Sequence, residues 1–234
     1  MGKRIIPRAR GAGGPRYRAP SHRYLGRVEY FPFGNIIAKV VDIKHDPGRS
    51  APVAIIKNEK GKEMLHIASE GLRVGDKINY GDEVSAGNVL ELGKIPEGTK
   101  IFCLETYPGS GPKLCRGSGV FAQVIGRSGN NILIRFSSGT VKEMAARCRA
   151  TVGIPAASGR VEKPWVTVGK KWHAMHARGK IYPRSAGVVM NPVDHPYGGK
   201  SHRPRPSKTV SRHAPPGAKV GSISARRVGK RKGS

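Results

Sequence analysis

The sequence predicts a mainly β protein in which two small barrels follow one another between extended basic N- and C-terminal tails. Three observations predict it. Short β-branched runs separated by Pro, Gly, Asn and Asp fill the middle of the chain. The two ends are basic, rich in Gly and Pro, and poor in apolar residues. No apolar segment approaches the length of a membrane span. The boundaries read from these signals are 1–34 for a basic N-terminal extension, 35–85 and 86–159 for the two barrels, and 160–234 for a basic extended C-terminal arm.

Charge sharpens that division. The 234 residues carry 43 Lys and Arg against 15 Asp and Glu, a formal net charge of +28. Residues 1–34 hold eight cations and one acid, 35–159 seventeen and twelve, and 160–234 eighteen and two. The middle is therefore near neutral, and the ends suit a phosphate polyanion whose counterions they release. Three cysteines, Cys103, Cys115 and Cys148, are odd in number and widely spaced. They read as reduced thiols of a cytosolic protein. The opening MGKRIIPRARGAGGPRYR lacks the apolar stretch of a secretory signal, and its Pro and Gly oppose an amphipathic targeting helix.

In chain order, the N-terminal extension interleaves Tyr17, Tyr24 and Tyr30 with arginines. Alone it buries too little apolar surface to offset chain ordering. Its aromatics either stack on bases or anchor the tail to the core. From Ile36, IIAKVVDIKHD alternates, with Ile37, Val41 and Ile43 read as one face. The turn HDPGRS, the run PVAIIKN, the turn Glu59–Lys62, then EMLHIAS, GLRVGDKINYG and GNVLELGKIPEGT continue the strand pattern. An antiparallel barrel of about five strands, of which the oligonucleotide-binding (OB) type is one form, fits 35–85.

The second barrel is read from IFCLETY, VFAQVIGR, NNILIRF and TVKEMAARCRATVG. Ile132, Ile134 and Phe136 share one face, with Leu133 and Arg135 on the other. The joints GRSGNN and SSGT fit tight hairpins. An SH3-like barrel is the expected form. Val168 to Ala177 fits a short helix with Trp172, Met175 and His176 near one face. The chain from Ala177 onward has too few apolar side chains for a third core and reads as an arm ordered by its partner.

Several motifs invite chemistry and fail on context. Gly198–Ser201, GGKS, lacks the first glycine of a phosphate-binding loop, and Pro204 and Pro206 break any following helix. His173 and His176 have metal-ligand spacing without a second pair, so no metal site is expected. Asp194-His195 suggests an acid–base pair, but no nucleophile elbow accompanies it. In the preferred reading Pro192 and Pro196 stiffen the loop 185–200, Gly198 and Gly199 permit close backbone approach, and Asn191 and His195 hydrogen-bond to RNA. The rivals are an RNA-dependent enzyme using Asp194-His195 and a DNA-compacting protein. The latter has only charge in its favour, since no helix-turn-helix or zinc-finger signal is present.

These residues resemble a known family. MNPVDHPYGGK at Met190–Lys200 is similar to the signature of the universal large-subunit ribosomal protein family called L-two. RAPSHRY at Arg18–Tyr24, DIKHDPGRSAPVA at Asp42–Ala54, EGLRVGD at Glu70–Asp76, CRATVG at Cys148–Gly153 and RHAPPGAKVG at Arg212–Gly221 extend the resemblance over nearly the whole chain. The wording around SHRY and HDPGRSAPVA resembles the archaeal or eukaryotic type. Lys200 stands where many relatives continue the glycine run.

The resemblance implies an OB-type barrel followed by an SH3-like barrel, with both ends threaded into ribosomal RNA. It implies a structural, non-enzymatic constituent of the large subunit and a primary rRNA binder. It also implies support of subunit association, of tRNA binding and of the architecture near the peptidyl-transferase centre. The expected partners are large-subunit rRNA and neighbouring ribosomal proteins, with contact to the small subunit, no membrane and no homo-oligomer. The expected place is the cytoplasmic ribosome. No cofactor is expected, save Mg²⁺ held through rRNA. His195 matches the family histidine once suspected in catalysis and is carried over as architectural.

The RNA-binding residues expected in the N-terminal half are Arg4, Arg8, Arg10, Arg16, Arg18, His22, Arg23 and Arg49. Those expected in the arm up to its loop are Lys170, Lys171, Arg178, Arg184, Asn191, His195, Gly198, Gly199 and Lys200. Beyond the loop they are His202, Arg203, Arg205, Lys208, Arg212, Arg226 and Arg227.

Overall fold

The computed structural model describes residues 3–199 and 209–224, and the chain divides into two units, Pro20–Val168 and Met1–Ala19 with Gly169–Ser234. The first unit is mainly β, an OB-type barrel followed by an SH3-like barrel. Its strands are β1 (Ile36–Lys44), β2 (Val53–Asn58), β3 (Glu63–Ile67), β4 (Lys77–Tyr80), β5 (Val89–Glu91), β6 (Lys100–Phe102), β7 (Ala122–Ser128), β8 (Asn131–Phe136), β9 (Val141–Ala145) and β10 (Arg149–Val152). They form one hydrogen-bonded run in the order β3-β2-β1-β4-β5-β10-β6-β7-β8-β9. Only β4 and β5 meet in parallel, through Tyr80 and Val89.

Two cores fill this run. Val28, Tyr30, Phe31, Val40, Ile56, Ile67, Ile78 and Tyr80 build the first. Leu90, Leu92, Ile95, Ile101, Val124, Ile132, Ile134 and Met144 build the second. Successive side chains of a strand point to opposite faces, and here the two faces of the middle strands serve different cores. Val89 and Phe102 enter the first, while their neighbours Leu90 and Ile101 enter the second. Strand β10 lies between β5 and β6, and all four of its residues are buried. β5, β10 and β6 therefore form a wall common to both barrels.

Polar groups buried at that wall are paired. Glu105 is fully buried, and Arg149, only 7% exposed, donates to it from Nη2 at 2.9 Å and from its backbone N–H at 3.0 Å. Arg149 Nη1 also donates to the Phe31 carbonyl at 2.6 Å, and its guanidinium lies 4.1 Å from the Phe33 ring centre. Glu105 accepts further N–H groups from Gly109 and Gly111. Nearby, Tyr30 O–H donates to the Cys103 carbonyl at 2.6 Å and meets Thr151 Oγ1 at 2.8 Å. Thr151 in turn lies 3.3 Å from Nε2 of buried His66, whose Nδ1 faces the Ile67 carbonyl at 2.8 Å.

The structure corrects several expectations. Ile37 and Val41 of β1 are exposed, whereas Ala38 and Val40 are buried and Ile43 packs against the first core. A bulge between Val40 and Asp42 places one extra residue against the β2 pair Ile56 and Ile55, which reverses the alternation. Residues 35–85 hold β1 to β4, and β5 follows at Val89. GLRVGD turns before β4, held by Gly75 N–H to the Val40 carbonyl at 2.9 Å and Val40 N–H to the Asp76 carbonyl at 2.8 Å.

IFCLETY is a strand only as far as Phe102, because Cys103 adopts a left-handed φ of 53°. TVKEMAARCRATVG breaks into β9 and β10 at a turn closed by Cys148 N–H to the Ala145 carbonyl. Val28, Tyr30 and Phe31, read as part of the basic extension, are core residues, so Tyr30 anchors the chain instead of awaiting a base. The hairpins stand as read: Ser128 pairs with Asn131 across Gly129, and Gly139 closes the next turn at φ 81°.

The second unit is described separately. A short helix, α1 (Ile6–Gly11), forms despite the neighbouring Gly and Pro, since proline in a first helical turn forfeits no intrahelical bond. The helix expected near Val168–Ala177 is α2 (Val168–His176). Gly179, at φ 65°, ends it, with its N–H on the His176 carbonyl and Lys180 N–H on the Met175 carbonyl. β11 (Thr209–Val210) and β12 (Ser222–Ile223) pair in parallel. Among the described residues after Val168, Val220 alone is buried, in keeping with the absence of a third core.

Candidate nucleic-acid interface

The unit formed by Met1–Ala19 and Gly169–Ser234 holds twenty-two Lys and Arg and a single acid, Asp194. Most of the chain's net charge therefore resides in a unit with almost no core among its described residues. Within it, the loop 185–199 is folded upon itself. A 3₁₀ turn, Gly187–Val189, leads into Met190. The Asn191 carbonyl then accepts the N–H groups of Asp194 at 3.0 Å and His195 at 3.2 Å. The loop closes through Gly198 N–H to the His195 carbonyl at 2.9 Å and Gly199 N–H to the Met190 carbonyl at 3.1 Å.

Glycine is required at three points of this closure. A β-carbon on Gly187 would meet the His195 ring at 2.4 Å, and one on Gly198 would meet the Asn191 carbonyl at 2.4 Å. Gly199 has φ 106° and faces the Pro192 ring, whose Cγ would lie 2.9 Å from an added β-carbon. Gly198 and Gly199 thus let the loop approach itself.

His195 belongs to the same packing. Its Nδ1 accepts the Tyr197 N–H at 3.1 Å, so the ring proton of the neutral form resides on Nε2. Its ring lies edgewise to Tyr197 at 5.0 Å. Asp194 does not orient this imidazole. It faces the Lys3 ammonium at 3.6 Å, while the Lys3 N–H donates to the Val193 carbonyl at 3.0 Å. The acid–base dyad suggested by sequence adjacency is therefore replaced by a tie between the chain's start and the loop. Tyr197 O–H donates to the carbonyl of buried Val220 at 2.9 Å, a second tie. Lys3 and Tyr197 were not singled out from sequence, although Tyr197 lies inside the signature.

The other expected residues fall into three groups. Arg4, Arg8, Arg10, Arg16, Arg18, His22, Arg23, Lys170, Arg184, Asn191 and Arg212 are exposed, and Lys171 and Arg178 are half-buried. Lys171 Nζ sits 4.7 Å over the Tyr182 ring. Arg49 is engaged internally: it pairs with buried Asp46 and donates from Nη2 to the Gly26 carbonyl at 2.6 Å. Burial lowers the pKa of its guanidinium. Lys200, His202, Arg203, Arg205, Lys208, Arg226 and Arg227 lie outside the described residues.

His173 and His176, the pair weighed for metal, both face the Trp172 ring. Among the described residues no three His, Cys, Asp or Glu side chains converge on one point. Burial pushes the Cys115 thiol up to about 11 and raises Cys103 and Cys148 as well, the opposite of what an activated nucleophile needs. No described helix is long and apolar enough to cross a membrane.

Comparison with known proteins covers almost the whole chain. Residues 8–80 match the family model described as Ribosomal Proteins L2, RNA binding N-terminal domain. Residues 85–219 match Ribosomal Proteins L2, C-terminal domain. The chain is 49% identical over 242 residues to the large ribosomal subunit protein uL2 of Methanothermobacter thermautotrophicus, covering 99% of this chain and 100% of that one. It is 47% identical over 242 residues to uL2 of Methanocaldococcus jannaschii, again over 99% and 100%. Against uL2 of Methanopyrus kandleri it is 46% identical over 239 residues, 98% of each chain.

Proposed function

Because the chain belongs to the ribosomal protein L2 family, we propose that it works as a structural, rRNA-binding constituent of the large ribosomal subunit. In this reading the barrels are the platform, and the basic unit carries the chain into folded RNA. The observation that carries it is the separation of charge from core: twenty-two cations and one acid share a unit with one buried side chain among its described residues. Such a segment has little to fold around except a polyanion, and each phosphate it neutralises releases counterions.

The loop 185–199 is the part of that unit whose backbone closes on itself. It presents exposed Asn191 to a neighbour. We assign it the position near the peptidyl-transferase centre, where it supports RNA architecture and, through it, tRNA binding and subunit association. His195 acts there as a packing and hydrogen-bonding residue. Neighbouring ribosomal proteins, Mg²⁺ held by rRNA and a cytoplasmic ribosome complete the proposal.

Crosslinking in purified ribosomes, with mapping of peptide and nucleotide partners, tests it. Crosslinks from 185–205 to large-subunit rRNA of the peptidyl-transferase region are expected. Their absence, with the protein outside ribosomal fractions, would overturn the reading. A chain lacking 178–234 should keep its barrels folded and fail to enter the subunit. Normal incorporation would make the arm dispensable.

A further inference from the structure

Helix α2 has nine residues, VGKKWHAMH, and none of them is buried. A helix this short is marginal in water without a packed face. Yet it carries Trp172 with 42% of its surface exposed. His176, one turn on, stacks on the indole at 4.9 Å with the ring planes 14° apart. His173 meets it edgewise at 4.9 Å and 87°. The helix thus presents a preformed aromatic stack, with His176 exposed.

The surroundings select what can extend such a stack. No acid occurs between Glu162 and Asp194, while Lys170, Lys171, Arg178, Lys180 and Arg184 lie in that interval. A partner that is both anionic and flat fits this chemistry. We propose that Trp172 and His176 form a nucleobase-stacking site for an unpaired base of folded RNA, with the cations of this interval meeting phosphates nearby along the strand. The proposal rests on the rRNA-binding reading and adds a base contact to what is otherwise charge recognition. Aromatic faces accept any base, so the site selects unstacked nucleotides, not a sequence.

The test uses the full chain carrying Trp165→Phe, which leaves Trp172 as the only tryptophan. It is titrated with deproteinised large-subunit rRNA and, separately, with long-chain polyphosphate, which has the charge but no bases. The expected result is quenching of Trp172 fluorescence by rRNA and not by polyphosphate. Trp172→Ala should weaken rRNA binding about tenfold with an unchanged salt slope, whereas Lys170→Ala should lower that slope by about one. Trp172→Phe keeps an aromatic face and should bind nearly as the parent, which guards against a loss caused by helix unfolding alone.

Tight rRNA binding without quenching, with Trp172→Ala unaffected, overturns the stacking site and leaves the rRNA reading intact. Equal quenching by polyphosphate makes the contact one of charge and overturns it too. Quenching only by a protein-bearing subunit particle assigns the helix to a protein neighbour. Failure of the parent chain to bind rRNA removes both proposals together.

Discussion

The imidazole of His195 occupies the space into which a side chain at Gly187 would project, 2.4 Å from an ideal β-carbon there. A methyl and the ring cannot coexist. Gly187→Ala should therefore expel the ring and loosen the loop at a cost of about 1–3 kcal/mol. Amide chemical shifts and exchange rates over 187–199 report it. Gly187→Ala combined with His195→Ala should restore part of the loop's protection, and unchanged shifts in the single variant would contradict the packing role.

The buried Glu105–Arg149 pair makes a second prediction. Glu105→Ala strands a guanidinium that is only 7% exposed. Removing one member of such a pair costs about 3–5 kcal/mol. Urea unfolding should show the midpoint falling sharply, with Glu105→Gln milder because its amide oxygen still accepts a hydrogen bond. A loss below about 0.5 kcal/mol, typical of a surface pair, would mean that the site is solvated.

His66 makes stability depend on acid. Burial lowers its pKa from 6.5 to about 4, so between those values the unfolded chain binds the proton and the folded chain does not. Stability therefore rises with pH across this window, is fully present above it, and falls as pH drops from 6.5 towards 4. The expected loss over the window is about 3 kcal/mol. Comparing unfolding free energies of the parent and His66→Gln from pH 4 to 7 isolates this contribution from the carboxylates. Parallel curves would show that His66 titrates normally.

Tyr80 predicts a gain. Its hydroxyl is buried and has no hydrogen-bond partner among the described residues, while its ring packs edge-on against Phe31 at 5.3 Å and Tyr30 at 6.1 Å. Tyr80→Phe keeps the ring contacts and removes an unpaired polar atom. Thermal unfolding should show no loss and a gain of about 1 kcal/mol. A clear loss would reveal a partner for the hydroxyl.

What was legible in the sequence was whatever local chemistry marks. Gly129 and Gly139 announced their hairpins, and Ile132, Ile134 and Phe136 their buried face. The bulge in β1 was invisible, since Val41 carries no sign that it is the extra residue. The ion pair was invisible for another reason: Glu105 and Arg149 lie 44 residues apart, and only the assembled wall brings them together. At the loop, Gly198 and Gly199 were expected to bring the backbone close to RNA, and the contacts described are within the loop itself. Gly198 faces the Asn191 backbone carbonyl and Gly199 the Pro192 ring, partners that residue type alone does not reveal.

The common wall also sets an order for the newborn chain. Phe31 belongs to the first barrel, but the guanidinium that holds its carbonyl lies 118 positions later, and Phe102 of the same core comes from β6. During synthesis the first barrel cannot close when its own strands have emerged. It waits, with apolar surface open, until β10 arrives. Until then the open apolar surface is what a chaperone has to grip.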